Sequence, residues 1–159
     1  MIGTVGSDEK IKIAKENGYD HVINYNKDNF AEKVKEITDG KGIPVVYDGV
    51  GKSTFDGSIE CLKLRGMMVS FGNASGPLDP VVVPKSIQPK GLYLTRPSIM
   101  QYTTTREELE EATNMVFEKF KSGDVKINIF KKYKLEEASK AHEDLESRKI
   151  TGPVVIIPN

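Results

Sequence analysis

Short β-branched runs alternate along the chain with stretches whose apolar residues recur at helical spacing. Residues 1–5, 21–24, 43–48, 67–71 and 92–95 read as strands. Three of these runs are nearly all apolar, the pattern of strands covered on both faces. Ser7 caps a helix whose first turn carries Asp8 and Glu9, with Gly18 just past its end. Asp28 or Asn29 caps the next, in which Phe30, Val34 and Ile37 share one face and Gly40 closes the helix. A third, weaker helix covers residues 53–64. Strand and helix alternating at this rhythm predict right-handed βαβ crossovers and a parallel sheet, an α/β fold.

The last third of the chain changes character. Residues 79–89 hold three of the eight prolines and read as an extended loop. Thr105 and Glu108 have capping-box spacing, and Leu109, Ala112, Val116 and Phe120 then form one apolar stripe that ends at Gly123. Residues 127–133 alternate weakly. Leu135, Ala138, His142 and Leu145 mark another helix, with His142 on its apolar side as a structural residue, and residues 154–157 read as a final buried strand. Lys131, Lys132 and Lys134 form a small basic cluster that suits a solvated edge.

Composition narrows the function classes. The 159 residues suit one domain, or two small ones, and 38% hydrophobic with 29% charged residues is ordinary for a globular protein. Lys plus Arg and Asp plus Glu each total 23, so no general excess of positive charge recruits nucleic acid. The single cysteine, Cys61, excludes an internal disulfide framework and suits a reducing compartment. With His21 and His142 it matches no metal-ligand spacing, so no metal site is expected. No apolar run is long enough to span a membrane and residues 1–6 do not read as a signal peptide, so the expected setting is the cytoplasm.

In an open parallel sheet, ligands bind outside the carboxyl ends of the strands, so chemistry is sought in the strand-to-helix turns. In the first turn Gly6, Ser7 and Lys10 offer space, a hydroxyl and an ammonium at a helix N-terminus, a set that accommodates a 2′-phosphate and favours NADP over NAD. The same residues are equally readable as a Ser cap with Lys10 on a solvated face, and Asp8 and Glu9 would repel a phosphate. Tyr25 ends the second strand, either packing on an adenine or filling a strand end. Gly51-Lys52-Ser53 imitates a P-loop, but Val46 stands where that loop needs its first glycine. Gly49, Val50 and Gly51 are better read as a turn that lets backbone pass close to a flat ligand. Phe71 and Gly72 form a similar turn or a plain loop. Arg96 after the fifth strand and Arg148 after the last helix are candidates for phosphate contact or for surface ion pairs. Gly-X-Ser-X-Gly is absent, and two histidines cannot supply a Ser–His–Asp or Cys–His set, so no catalytic residues are assigned.

Taken in order, Ile2 to Ser7, Val22 to Tyr25, Val45 to Gly51, Val69 to Asn73, Leu94 to Ser98 and Leu145 to Arg148 resemble NADPH-dependent quinone oxidoreductases. These are the zeta-crystallin-like, zinc-free branch of the medium-chain dehydrogenase/reductase superfamily, and the resemblance is to the C-terminal part only. It implies a Rossmann-type doubly wound parallel sheet and hydride transfer from NADPH to a quinone or related acceptor. By the same resemblance, Gly6, Ser7, Lys10 and Tyr25 surround the adenosine 2′-phosphate, Gly49 and Val50 the adenine-ribose side, and Phe71 and Gly72 the nicotinamide side. Arg96 and Arg148 add polar or phosphate contacts.

The family carries more sequence ahead of the matched region: a catalytic domain, then a first strand and its Gly-rich turn. The chain is therefore expected to be truncated, with residues 1–124 an incomplete dinucleotide-binding domain and residues 125–159 a strand-helix-strand that in the family returns to the catalytic domain. In sheet order 3-2-1-4-5-6 the absent strand is central. The expected consequences are weak NADPH binding by the chain alone and doubtful activity. The alternative is an interaction module that forms a homodimer through the edge strand from Leu92 to Thr95, or that completes a separately encoded N-terminal half.

Overall fold

A computed structural model describes residues 1–147 and 150–158. Two compact units divide the chain, Met1–Gln101 and Tyr102–Asn159.

The first unit runs β1 (Ile2–Val5), α1 (Asp8–Glu16), β2 (His21–Asn24), α2 (Phe30–Ile37), β3 (Ile43–Asp48), α3 (Phe55–Cys61), β4 (Leu62–Ser70), α4 (Val83–Ser86), a 3-10 turn (Gln88–Lys90) and β5 (Tyr93–Thr95). Every strand pairing in it is parallel. The strands form two sheets, β1-β2 and β3-β4-β5, and β1 is not paired with β3. The interruption falls where the resemblance expects a strand from sequence ahead of the matched region.

Side-chain placement shows the double winding. Ile2 on β1 and Ile23 on β2 pack with Ala31 and Val34 of α2, Cys61 of α3, and Ile43 and Val46 of β3. Gly3 points to the opposite face, where the Tyr19 ring after α1 occupies the space a side chain would need. Helices α1 and α2 therefore lie on opposite faces, and the winding reverses between β1 and β3. A second cluster, Phe55, Leu62, Met68 and Leu92, anchors β4 beneath α3 and the segment before β5.

Several elements differ from the sequence reading. Ser7 stands at the N-cap of α1 in extended conformation but makes no capping bond with its side chain. Asn29, not Asp28, caps α2, accepting from Ala31 N at 3.0 Å and Glu32 N at 3.4 Å. The third helix is shorter than 53–64. It stops at Cys61 because Leu62 turns extended at once, and β4 begins there rather than at residue 67. The regular ladder with β3 still starts at the Val45–Met67 pair, after an irregularity in which Arg65 adopts a left-handed φ of 59°. The supposed loop at 79–89 holds α4 and the 3-10 turn, with Pro84 and Pro89 in first turns, where a missing N–H costs nothing.

The second unit contains α6 (Arg106–Ser122), β6 (Lys131–Lys134), a 3-10 turn (Leu135–Glu137), α7 (Ala138–Glu146) and β7 (Val154–Ile157); a short α5 (Ile99–Tyr102) lies at the boundary between units. Strands β6 and β7 pair in parallel, and Tyr133 and Ala141 are its buried apolar residues. Here the apolar patterns overstate burial. Leu109 and Val116 of the α6 stripe are 43% and 53% exposed, His142 is exposed, and β7 is half-buried rather than buried. Of the weak alternation at 127–133 only residues 131–133 join a strand, β6, which runs on to Lys134; Ile127, Ile129 and Phe130 stay exposed, with Phe130 N donating to Pro153 O at 2.8 Å just before the ladder begins.

Candidate functional site

The carboxyl ends of the parallel strands in the first unit carry turns that interlock. After β1, Gly6 lies beneath Tyr25: a Cβ on Gly6 would stand 2.8 Å from the Tyr25 hydroxyl. Asn26 Nδ2 donates to Gly6 O at 2.7 Å, tying the turn after β2 to the turn after β1. Asn24 Nδ2 donates to Asp8 Oδ1 at 2.7 Å, and Lys27 forms an ion pair with the same carboxylate. Those partners, Lys27 first, hold the Asp8 carboxyl below its ordinary range. The Ser7 hydroxyl does the same for Glu9. Lys10 is half-buried and has no carboxylate within ion-pair distance among the described residues. The repulsion expected from Asp8 is thus largely met by Lys27, while Lys10 remains a cation beside the helix N-terminus.

The turn after β3 is built around the buried carboxylate of Asp48. Its Oδ1 accepts from Val50 N at 2.8 Å, Gly51 N at 2.9 Å and the Thr54 hydroxyl at 3.0 Å. Its Oδ2 accepts from Thr54 at 2.8 Å and from the Ser58 hydroxyl at 2.8 Å. One acidic side chain therefore shapes the whole 49–54 turn and fastens it to the first turn of α3. The turn after β4 closes over it. Ser75 Oγ donates to Val50 O at 2.8 Å and accepts from Ser53 N at 3.0 Å, and Phe71 N donates to Asp48 O at 2.9 Å. A Cβ on Gly72 would collide with the Gly49 carbonyl, and one on Gly51 would stand 2.9 Å from Gly76 O. What passes close to the Gly49–Gly51 backbone is the neighbouring turn.

Phe71 is 54% exposed at the rim, with its ring edge 3.0 Å from where a Gly49 Cβ would be. Arg96 takes no ion pair among the described residues; its guanidinium donates to Ser70 O at 2.8 Å, beside the same strand end. The Ser70 hydroxyl below it is buried without a hydrogen-bond partner. Lys52, the lysine of the P-loop imitation, is turned away into an exposed ion pair with Asp79 at 3.0 Å. Arg148 lies outside the described residues. The structure thus gathers Gly6, Ser7, Lys10 and Tyr25 at one pair of turns, and Gly49, Val50, Phe71, Gly72 and Arg96 at another. Pattern reading missed Asp48, Thr54, Ser58 and Ser75. The readable signal was an acidic residue closing an apolar strand, with hydroxyls six and ten residues on.

The assembly offers backbone donors, aromatic surface and single cations, and no paired acid and base.

The family described as "Zinc-binding dehydrogenase" matches residues 1–118. A quinone oxidoreductase of Salmonella typhimurium is 49% identical over 99% of this chain and 49% of its own length. The solved structure of an Escherichia coli quinone oxidoreductase complexed with NADPH superposes with a TM-score of 0.93 at 47% identity, covering 99% of this chain and 49% of that one. A 2-haloacrylate reductase structure follows at a TM-score of 0.91 and 40% identity, again over 99% of this chain and 49% of the other. The chain spans about half the length of the curated relatives it matches. Among the described residues no three His, Cys, Asp or Glu side chains come together as a ligand set. A Rossmann-type parallel fold, two sets of turns at its strand ends and a family match over most of the sequence lead to one statement: the chain belongs to the zinc-binding dehydrogenase family of medium-chain dehydrogenase/reductases, as the C-terminal part of its quinone oxidoreductase-like members.

Proposed function

We propose that this chain is the cofactor-binding half of a zinc-independent, cytoplasmic, NADPH-dependent oxidoreductase that delivers hydride to a quinone or a related activated acceptor. The observation that carries the reading is the pair of turn assemblies at the carboxyl ends of β1 to β4, on either side of the point where the winding reverses, which is where doubly wound folds hold dinucleotides. Gly6, Ser7, Lys10 and Tyr25 take the adenosine 2′-phosphate end, with Lys10 the cation left without a carboxylate partner. Gly49 and Val50 face the adenine-ribose side. Phe71 and Gly72 stand at the nicotinamide side, with Arg96 adding a polar contact beside Ser70 and Arg148 a phosphate contact. The nicotinamide supplies the hydride when bound; the residues of this chain bind, orient and shield it. Support for NADPH comes from the Escherichia coli relative, whose solved complex contains it.

Assembly follows from β5. It ends its sheet, and Tyr93 is 62% exposed along it, so we place a homodimer contact on the edge running from Leu92 to Thr95. Leu92 itself is buried and anchors that edge from within.

Cofactor fluorescence tests the reading directly, since the chain has no Trp to interfere. NADPH is expected to bind the chain alone weakly, and NADH more weakly still. Lys10→Ala is expected to reduce NADPH binding about 10-fold and leave NADH unchanged, as loss of one charge-assisted phosphate contact requires. Equal affinity for the two cofactors, or NADPH binding indifferent to Lys10, overturns it.

A further inference from the structure

Asp8 and Glu9 open α1, and both carboxylates are engaged. Asp8 Oδ1 accepts from Asn24 Nδ2 at 2.7 Å, and Asp8 Oδ2 pairs with the Lys27 ammonium. The Asn24 amide is fixed in that direction: it is buried, and its Oδ1 accepts from Asn26 N at 3.1 Å. Asn24 O accepts from Lys27 N and from Asp28 N, each at 3.0 Å, which fixes the backbone that carries the lysine. Glu9 is held within its own turn by the Ser7 hydroxyl and by its own amide. Asp28 and Glu9 also act on the Lys27 ammonium from nearby. The Lys27–Asp8 pair is exposed, 64% for the lysine and 53% for the carboxylate, so it adds little to stability. Its consequence is one of charge. Lys10 and Lys27 stand against Asp8 and Glu9; without Lys27 the carboxylates of Asp8, Glu9 and Asp28 outnumber Lys10 at the helix end that suits an anion.

We infer that Lys27 determines specificity for the phosphorylated cofactor, by neutralising Asp8 so that the N-terminus of α1 accepts a 2′-phosphate. This role rests on the NADPH reading proposed above and adds to it a residue outside the phosphate contacts named there. Lys27 acts through Asp8 and is therefore a positioning residue: its ammonium is committed to that carboxylate, while Lys10 is the cation left for the phosphate. Discrimination between NADPH and NADH is a difference of two affinities, and a bare carboxylate beside the phosphate opposes only the first. Asp8 is one residue from Ser7 and two from Lys10, and Asn24 holds it in place whether or not Lys27 is present. Uncompensated, its repulsion of a phosphate about one helical turn away in water-like surroundings amounts to a roughly 5-fold loss of affinity. A neutral 2′-hydroxyl feels almost none of it.

The probes are adenosine 2′,5′-bisphosphate and 5′-AMP, which differ only in the 2′-phosphate and make no demand on the nicotinamide side. Each is titrated calorimetrically into the full chain at low ionic strength, and the bisphosphate is expected to bind more tightly. Lys27→Gln is expected to weaken the bisphosphate about 5-fold and to leave 5′-AMP unchanged. Adding Asp8→Asn to that variant is expected to restore the lost affinity, and Lys27→Arg to keep it. Lys41→Gln removes an equal charge from the exposed loop before β3, at the opposite ends of the strands, and is expected to change neither probe. The Lys27 effect is expected to fade in about 0.5 M salt, where the Debye length is about 4 Å, as damage to the fold would not. Discrimination that ignores Lys27→Gln overturns the role of Lys27 and leaves the NADPH reading standing. So does a loss that Asp8→Asn fails to restore, which makes Lys27 a direct phosphate contact, and so does an equal loss with Lys41→Gln. Equal binding of the two probes by the unaltered chain, or binding of neither, overturns the NADPH reading and the role of Lys27 together.

Discussion

Asp48 does more to shape the candidate site than any residue the sequence singled out. Its carboxylate satisfies two backbone N–H groups and two hydroxyls, all within 3.0 Å. Asp48→Ala strands those donors in a buried place, at a cost of roughly 1–3 kcal/mol for each one left unsatisfied. A large fall in stability is expected by chemical denaturation, with Asp48→Asn recovering part of it, since an amide oxygen still accepts from Val50 and Gly51. Gly72→Ala should be similarly damaging, because its Cβ meets the rigid Gly49 carbonyl and not a movable side chain. Gly18→Ala is the converse case: unlike Gly72 it has a positive φ, 89°, but open space around it, so only the backbone strain of about 1–2 kcal/mol applies. The glycines of both turns were legible as places of close approach. What approaches them was not, because spacing along one turn carries no information about a neighbour more than 20 residues away.

At the scale of elements, local signals were read well and their tertiary limits poorly. The α6 capping box is present in full: Glu108 N donates to Thr105 Oγ1 at 3.2 Å and Thr105 N to the Glu108 carboxylate at 3.1 Å. Thr105→Ala should cost about 1 kcal/mol of helix stability, measured by circular dichroism during thermal unfolding. The Thr104 hydroxyl, with the Thr105 and Thr104 amides, holds the Glu108 carboxyl below its usual value of 4.5. A depressed folded-state pKa means that the cap is fully present above pH 4.5 and is lost as pH falls through the lower, folded value. Helicity in α6 should therefore be steady from neutral pH to 4.5 and weaken only below it, and Glu108→Gln should flatten that acid limb. The end of α3 was illegible for a different reason. No glycine or proline marks Cys61–Leu62; the helix ends because Leu62 is drawn extended into the cluster of Phe55, Met68 and Leu92. Burial overrode propensity there, while in α6 a regular apolar stripe left Leu109 and Val116 half-exposed.

The whole first unit depends on helices to join two sheets that share no hydrogen-bonded ladder. Segment order and the family resemblance together made that interruption readable; segment order alone would have predicted one continuous sheet. Cohesion across it falls to the cluster of Ile23, Ala31, Val34 and Cys61, which draws on β2, α2 and α3 at once. Cys61 is thus a reporter for the integrity of the unit. Burial pushes its thiol up from 9.0 to about 11, so at a fixed mildly alkaline pH the reactive thiolate is about 100-fold scarcer than for an exposed cysteine, before any steric protection. Labelling with a disulfide reagent at pH 8 should accordingly be slow in the native chain and reach the exposed rate when denaturant opens the unit. Labelling at the exposed rate without denaturant would show that the helices alone do not hold the two sheets together.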